Sequence, residues 1–462
     1  MLPLALLLVF LNSHIIVASK STIDTLPGFS GELPFKLETG YVGVGDLDDV
    51  QLFYYFIESE RSPKEDPLVL WLTGGPGCSG FSGLAYQIGP IMFNYANSSG
   101  NEPTLVLNPY SWTKINLLLN LHLICQELYP NALDDVQVAT IIFLDQPVAS
   151  GFSYAKSWEG YETGDISSAA HTYEFLRKWL KDHPEFLKNA LYIAAGDSYS
   201  GITVPIIVQE VSNGNEVGHE PPLNLKGYVL GNPYTEPTYD VNSRIKFAHR
   251  MALISDKLYE STKTNCKGEY VQVDPSNAPC VENLQEVTEC TQKIYYNQIL
   301  EPKCSTMSPN PKIFKWDQNF DDIHQIFMKS SNYRDFILTV WHLTTLTSLQ
   351  TYNYLFSFIW ANDKTVQNAL HVPEVSINFE NYNTHIKYSH FYLPLQCAGN
   401  NKGLGKMQSE HIYGDHDMLI PYVGTQEWIK SLNLSVDYQW RPWFVNGQVA
   451  GYTNAYTGKR TV

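Results

Sequence analysis

A serine at the tip of a sharp turn is the residue best placed for covalent chemistry in this sequence. Leu191-Tyr192-Ile193-Ala194-Ala195 is apolar and strand-compatible. Gly196-Asp197-Ser198-Tyr199-Ser200-Gly201 follows, and the run from Ile202 onward can be helical. Strand, tight turn and helix in that order hold the Ser198 hydroxyl clear of the backbone on a strained residue. The next amide, Tyr199 N–H, falls at a helix start and points where an oxyanion would form. The strict pattern has glycine at position 200; here Ser200 stands there and Gly201 comes one later. A small residue is all that the packing demands. A second loop, Gly74-Gly75-Pro76-Gly77, directly follows the buried-strand pattern 66–73. Glycines after a strand let amides face a ligand with no Cβ in the way, so this loop is the expected second donor of the oxyanion hole.

A serine nucleophile needs a base to take its proton and a carboxylate to orient that base. An elbow of this kind goes with the chain order serine, acid, histidine. The acid is expected at Asp417, in Gly414-Asp415-His416-Asp417-Met418-Leu419-Ile420-Pro421, with Asp415 nearer the strand and structural. No histidine follows: the last of the 13 is His416, inside the same turn. A histidine beside its own orienting acid in a tight turn is badly placed to reach Ser198.

The surrounding pattern supplies a scaffold. Strands are expected over 52–57, 66–73, 139–145, 191–195 and 225–231. Ile166, Ala169, Ala170, Tyr173, Leu176 and Leu180 recur at helical spacing between the third and fourth of them. Strands alternating with helices predict an α/β fold with a mostly parallel sheet covered on both faces. From 240 to 362 the pattern turns irregular, helical and cysteine-bearing, which reads as an inserted lid over the C-terminal edge of the sheet. The core then resumes over 363–462, with a short strand at 412–414 before the acidic turn and a hairpin from 436–444 and 448–453.

Residues 1–18 are apolar and too short to span a membrane comfortably. With Ile16-Val17-Ala18 at the end they read as a secretory signal, leaving a first core segment over 19–239. No later stretch is apolar for long enough to span. With 47 acidic and 31 basic residues the net charge is −16, which argues against nucleic acid or an anionic membrane as partner. Seven cysteines in an exported chain imply disulfides with one thiol left over. Cys266, Cys280, Cys290 and Cys304 allow three pairings, of which Cys266–Cys280 and Cys290–Cys304 are favoured. Asn97 and Asn433 head triplets that accept N-glycans.

At this point the sequence resembles the serine carboxypeptidase-like family of plants, and within it the acyltransferase branch. The blocks that carry the resemblance begin at Leu26, Leu37, Leu72, Phe143, Gly196, Ile254, Trp360 and Gly414, and they cover most of the chain in order. The resemblance implies an α/β-hydrolase fold, Ser198 as nucleophile, Asp417 as triad acid, and the Gly75 and Tyr199 amides as the oxyanion hole, with no cofactor and no metal. Peptidases of the family carry Asn before the Gly-Gly-Pro-Gly loop and Glu before the serine, and use them to grip a free carboxylate. Here those positions hold Thr73, beside Gly74, and Asp197. That pattern is similar to the acyltransferases, which take an acyl group from a glucose ester and pass it to an acceptor alcohol. The expected partners are therefore that ester and alcohol, with no nucleic acid and no membrane. The expected location is the secretory pathway, in the vacuole or outside the cell. A serine-type carboxypeptidase is the alternative.

Three departures from the family pattern stand out. Residues 115–138 interrupt a junction that runs straight from Ser111-Trp112-Thr113-Lys114 into Ile141-Ile142-Phe143 in the family. Leu349 replaces the family's partner for Cys78, which leaves that thiol to Cys125, Cys397 or nothing; the stretch 381–410 is also unlike the family. The family's Gly-Gly-Gly-His-Thr block, which supplies the base, lies beyond Gly451-Tyr452-Thr453 and is absent, so the sequence is expected to be truncated before its histidine. A chain without that base is expected to keep binding and lose on the order of 10⁶ in rate, about 8 kcal/mol. A catalytically inactive splice form or gene-model product is the third reading.

Overall fold

The computed structural model describes residues 20–94, 102–114, 138–195, 198–301, 352–374, 388–389, 408–445, 447–456 and 460–461. Its main sheet is built from β1 (Ser21–Ile23), β2 (Leu37–Val44), β3 (Val50–Ile57), β4 (Leu68–Leu72), β5 (Thr140–Leu144), β6 (Leu191–Ala195), β7 (Leu225–Gly231), β8 (Gln408–Ile412), β9 (Val436–Val445), β10 (Gln448–Tyr456) and β11 (Arg460–Thr461). The spatial order is β1-β2-β3-β5-β4-β6-β7-β8-β11-β10-β9. The pairs from β5 to β11 in this order are parallel, and the flanking pairs at both edges are antiparallel.

The central strands read as unbroken apolar runs because both faces are covered. Successive side chains alternate across the sheet. Leu68, Leu70 and Leu72 join one core with Val204, Ile207, Val208 and Val211 of α2 (Ser200–Glu216) and with Phe175, Leu176 and Trp179 of α1 (Asp165–Asp182). Val69 and Trp71 join the other, with Phe81, Leu84 and Phe143. There Trp360 of α6 (Tyr352–Ala361) stacks on Phe81 at 5.2 Å between ring centres.

Residues 240–301 begin inside α3 (Pro237–Arg250) and continue through α4 (Asp256–Cys266) and α5 (Ala278–Thr291). Ser255 caps α4 by accepting from Leu258 N–H, and a disulfide from Cys266 to Cys280 ties α4 to the first turn of α5. Phe247, Leu258, Val287 and Met418 share one cluster, so these helices pack on the segment before α7 (Tyr422–Ser431). Cys290 is exposed, and Cys304 lies outside the described residues. So do residues 1–18, Asn97, Cys125, Leu349, Cys397 and all of 115–137. Ala139 N–H donates to Trp112 O (2.9 Å), which places the two flanks of that last stretch side by side. The strand expected at 412–414 is instead Gln408–Ile412. Its side chains are largely polar and gave no apolar signal, but its backbone pairs with β7 and β11 on either side. The hairpin expected near the end is β9 with β10.

A buried Glu–His pair fixes the far end of α1. Glu38 of β2 accepts from Tyr54 Oη (2.8 Å) and faces His183 Nε2 (2.8 Å), while His183 Nδ1 faces Trp179 O (2.9 Å). Burial pushes the Glu38 carboxyl up, but the hydrogen bonds from His183 and Tyr54 and the nearby positive charge outweigh it and hold the group below 4.5. A carboxylate held below its unfolded value adds stability above that value and loses it as pH falls through the folded one. Thermal melts from pH 7 down to pH 3 check this. Glu38→Gln is expected to lower the melting temperature near neutrality and to flatten the acid limb below about pH 4.5. An unchanged acid limb would show that the pair contributes nothing.

Candidate active site

The apex residue is held in a conformation that side chains rarely adopt. Ser198 has φ 60°, whereas Tyr199 has returned to helical angles and opens α2. Two segments clamp the apex: Ser198 N–H donates to Asn232 O (3.1 Å), and Ser198 O accepts from Tyr234 N–H (2.8 Å) and Gly201 N–H (3.0 Å). Strain of this size, about 1–3 kcal/mol, persists only where neighbours over-determine it, and these three bonds do so.

Gly201 explains the shifted glycine. A Cβ there would sit 2.5 Å from Tyr234 O and 2.7 Å from Pro233 Cβ, so α2 can start this close to the end of β7 only with glycine at that place. Ser200 is buried in the first turn. The Tyr199 side chain is also anchored: its hydroxyl donates to Asp165 Oδ2 (3.0 Å), and Tyr388 Oη donates to Asp165 Oδ1 (2.8 Å). Burial, then the Asp165 charge, pushes the Tyr388 hydroxyl well above its ordinary range, so it stays a donor. Asp197 lies outside the described residues.

The loop after β4 turns on glycine conformations. Gly75 has φ 123° and Gly77 φ 105°; a Cβ on Gly75 would lie 2.6 Å from Gly77 N and 2.8 Å from Cys78 N. Thr73 is buried, and its hydroxyl has no hydrogen-bond partner among the described residues. The loop's exit is pinned by Asp145, at the end of β5, which accepts from Ser79 Oγ (2.6 Å) and Gly80 N–H (2.8 Å) with one oxygen and from Phe152 N–H (2.9 Å) with the other. Burial pushes this carboxyl up to about 7 against the pull of those donors. Asp145 carried no chemical signal in the sequence beyond its place at a strand end.

The acid turn is tied on three sides. Asp417 Oδ1 accepts from Leu419 N–H (2.7 Å) and Ile420 N–H (3.0 Å). Arg244 of α3 donates from Nε and Nη2 to Leu419 O (3.0 and 2.8 Å). The segment after α5 reaches it too: Tyr296 O accepts from Met418 N–H (2.7 Å), and Ile299 N–H donates to His416 O (3.0 Å). Asp415 is exposed, with its carboxylate 3.8 Å from His416 Nε2. Asn433, the second position expected to carry a glycan, is exposed just after α7.

A residue that the sequence reading missed joins the two halves. Asn232, directly after β7, accepts from Ser198 N–H through its carbonyl, from Gly414 N–H through Oδ1 (2.9 Å), and donates from Nδ2 to Ile420 O (3.1 Å). Its own N–H donates to Ile412 O (2.8 Å). Asn232-Pro233 looks in the sequence like an ordinary turn, and only the fold brings it between 198 and 414–420.

A parallel-centred sheet with a strained serine after one strand and an acidic turn after the next-but-one defines an α/β-hydrolase. The serine carboxypeptidase family model matches residues 27–123 and 124–462. Serine carboxypeptidase-like 1 of Arabidopsis thaliana is 44% identical over 98% of this chain and 89% of its own length. Serine carboxypeptidase-like 11 of the same plant is also 44% identical, over 99% of this chain and 91% of its own length. Among solved structures, KEX1(delta)p, a prohormone-processing carboxypeptidase from Saccharomyces cerevisiae, superposes with a TM-score of 0.66 at 17% identity, over 95% of this chain and 89% of that one, and so shares the fold. The chain belongs to the serine carboxypeptidase family of hydrolases. Among the described residues no helix is long and apolar enough to cross a membrane.

Proposed function

We propose that this protein is an acyltransferase of the serine carboxypeptidase-like kind, which moves an acyl group from a glucose ester to an acceptor hydroxyl. The observation that carries the reading is the clamped Ser198 at φ 60°, which presents a hydroxyl at the end of a central strand. Ser198 Oγ attacks the ester carbonyl, and the Gly75 and Tyr199 amides receive the oxyanion. Glucose leaves with the proton that Ser198 Oγ gave up; the acceptor hydroxyl then attacks the Ser198 ester, the acyl–Oγ bond breaks, and the acceptor's proton returns to Oγ. Asp417 is the acid of the site. Thr73 supports transfer over peptide cleavage. A buried hydroxyl in place of an amide is a poorer grip for a free carboxylate, and with Asp197 it suits sugar hydroxyls. Export through the secretory pathway and an acidic vacuole suit the same chemistry.

Among these 462 residues no histidine follows His416, and the role of base is given to no residue here.

The test is incubation with an acyl-glucose and an acceptor alcohol, with a blocked peptide in parallel and ester binding followed by calorimetry. New acyl ester with glucose release supports the proposal. Amino-acid release without transfer would replace it with a carboxypeptidase. Saturable binding with neither product would overturn both catalytic readings.

A further inference from the structure

We propose that Asn232 is the positioning residue that sets the nucleophile elbow against the acid turn. The inference rests on the reading of Ser198 and Asp417 as nucleophile and acid, and goes beyond it by naming what fixes their relative placement. These two residues are 219 positions apart in sequence, on loops that leave different strands. Each loop is also held by bonds that do not involve Asn232: Ser198 by Gly201 of its own turn and by Tyr234 after β7, Asp417 by its own bonds to Leu419 and Ile420. These bonds shape each turn but do not register one turn against the other.

Asn232 does the latter with four bonds from one residue. Its carbonyl receives Ser198 N–H, and its amide nitrogen reaches Ile412 O at the end of β8. Its side chain straddles the acid turn, with Oδ1 on Gly414 N–H before Asp417 and Nδ2 on Ile420 O after it. The side chain also determines where the carbonyl points. Asn232 has φ 31°, a left-handed conformation that asparagine tolerates better than most residues but still disfavours. The two side-chain bonds hold it there, so the carbonyl stays where Ser198 N–H meets it. The amide is the fitting chemistry, since one end must accept and the other must donate. Aspartate offers two acceptors and would set a carboxylate oxygen against Ile420 O.

The experiment compares wild type, Asn232→Ala and Asn232→Asp by hydrogen exchange of peptides spanning 196–202 and 412–421, and by the rate at which a fluorophosphonate labels Ser198. In Asn232→Ala, exchange is expected to rise about tenfold in both peptides, including the elbow that the side chain never touches. Labelling is expected to fall about 10²-fold, the effect of an ångström-scale misplacement. Asn232→Asp is expected to behave like the alanine variant at neutral pH. It should recover towards wild type, as a ratio measured at each pH, once the pH is low enough to protonate the new carboxyl and restore a donor to Ile420 O. A residue that merely stabilises the fold would show no such recovery. Looser exchange confined to 412–421, with the elbow peptide and the labelling ratio unchanged, would overturn the proposal and leave Asn232 as a cap on the acid turn. Absence of labelling in wild type would count against Ser198 as a nucleophile, and the exchange comparison would then decide the link by itself.

Discussion

Ser198→Ala is expected to remove acyl transfer by about 10⁶-fold in any preparation that turns over, equivalent to about 8 kcal/mol of transition-state stabilisation. The covalent step needs an oxygen on that Cβ, and no neighbour can substitute. The next serine, Ser200, is buried in the first turn of α2. The fold should not notice the change. Alanine keeps the Cβ, so the strain at φ 60° is the same in both proteins, and the three clamping bonds are all made by backbone atoms. The melting temperature should therefore stay where it is, and ester binding should survive through the loop amides. Intact mass after a brief exposure to the ester separates the cases: wild type gains the acyl mass and the variant does not. Turnover within a few-fold of wild type in the variant would remove Ser198 from the mechanism.

Gly201→Ala is expected to be a strongly damaging one-methyl change at the elbow. The new Cβ meets Tyr234 O at 2.5 Å and Pro233 Cβ at 2.7 Å. Neither can swing away, because one is main chain and the other belongs to a proline ring. The start of α2 must retreat from the end of β7, and the bonds from Ser198 to Asn232 and Tyr234 cross that same gap. Overpacking of this kind costs about 1–3 kcal/mol of stability, and a displaced nucleophile about 10² in rate. Thermal melting and kcat on the same preparation test both parts. Ser200→Gly, one residue earlier, is the contrast: it should cost about 1 kcal/mol of helix stability and little rate. Equal effects from the two substitutions would mean that the close approach at 201 is not what places the elbow.

Much of the scaffold was legible because it is written in local patterns. Apolar runs such as Leu68 to Leu72 mark strands buried on both faces, and the spacing of Ala169, Leu176 and Leu180 marks a helix lying on a sheet. Glycines at 75 and 77 announce backbone angles that other residues resist. Where that signal was missing the reading slipped. Gln408–Ile412 is a central strand with polar side chains, placed by its two ladder partners rather than by its own hydropathy.

The sequence by itself determined the family, and it pointed to the candidates for the chemistry: the serine between a strand and a helix, the glycine loop, and the acid before Ile420-Pro421. Only the tertiary structure decided what holds them in register. Asp145 on Ser79 and Gly80, Asp165 between Tyr199 and Tyr388, Arg244 on Leu419, and Asn232 between Ser198 and the acid turn all join segments tens to hundreds of residues apart. Such bonds leave no periodic trace, because each partner obeys only the local rules of its own turn. Their pairing is fixed when the parallel sheet closes and brings strand ends together. A buried polar group must then find a partner or pay its desolvation.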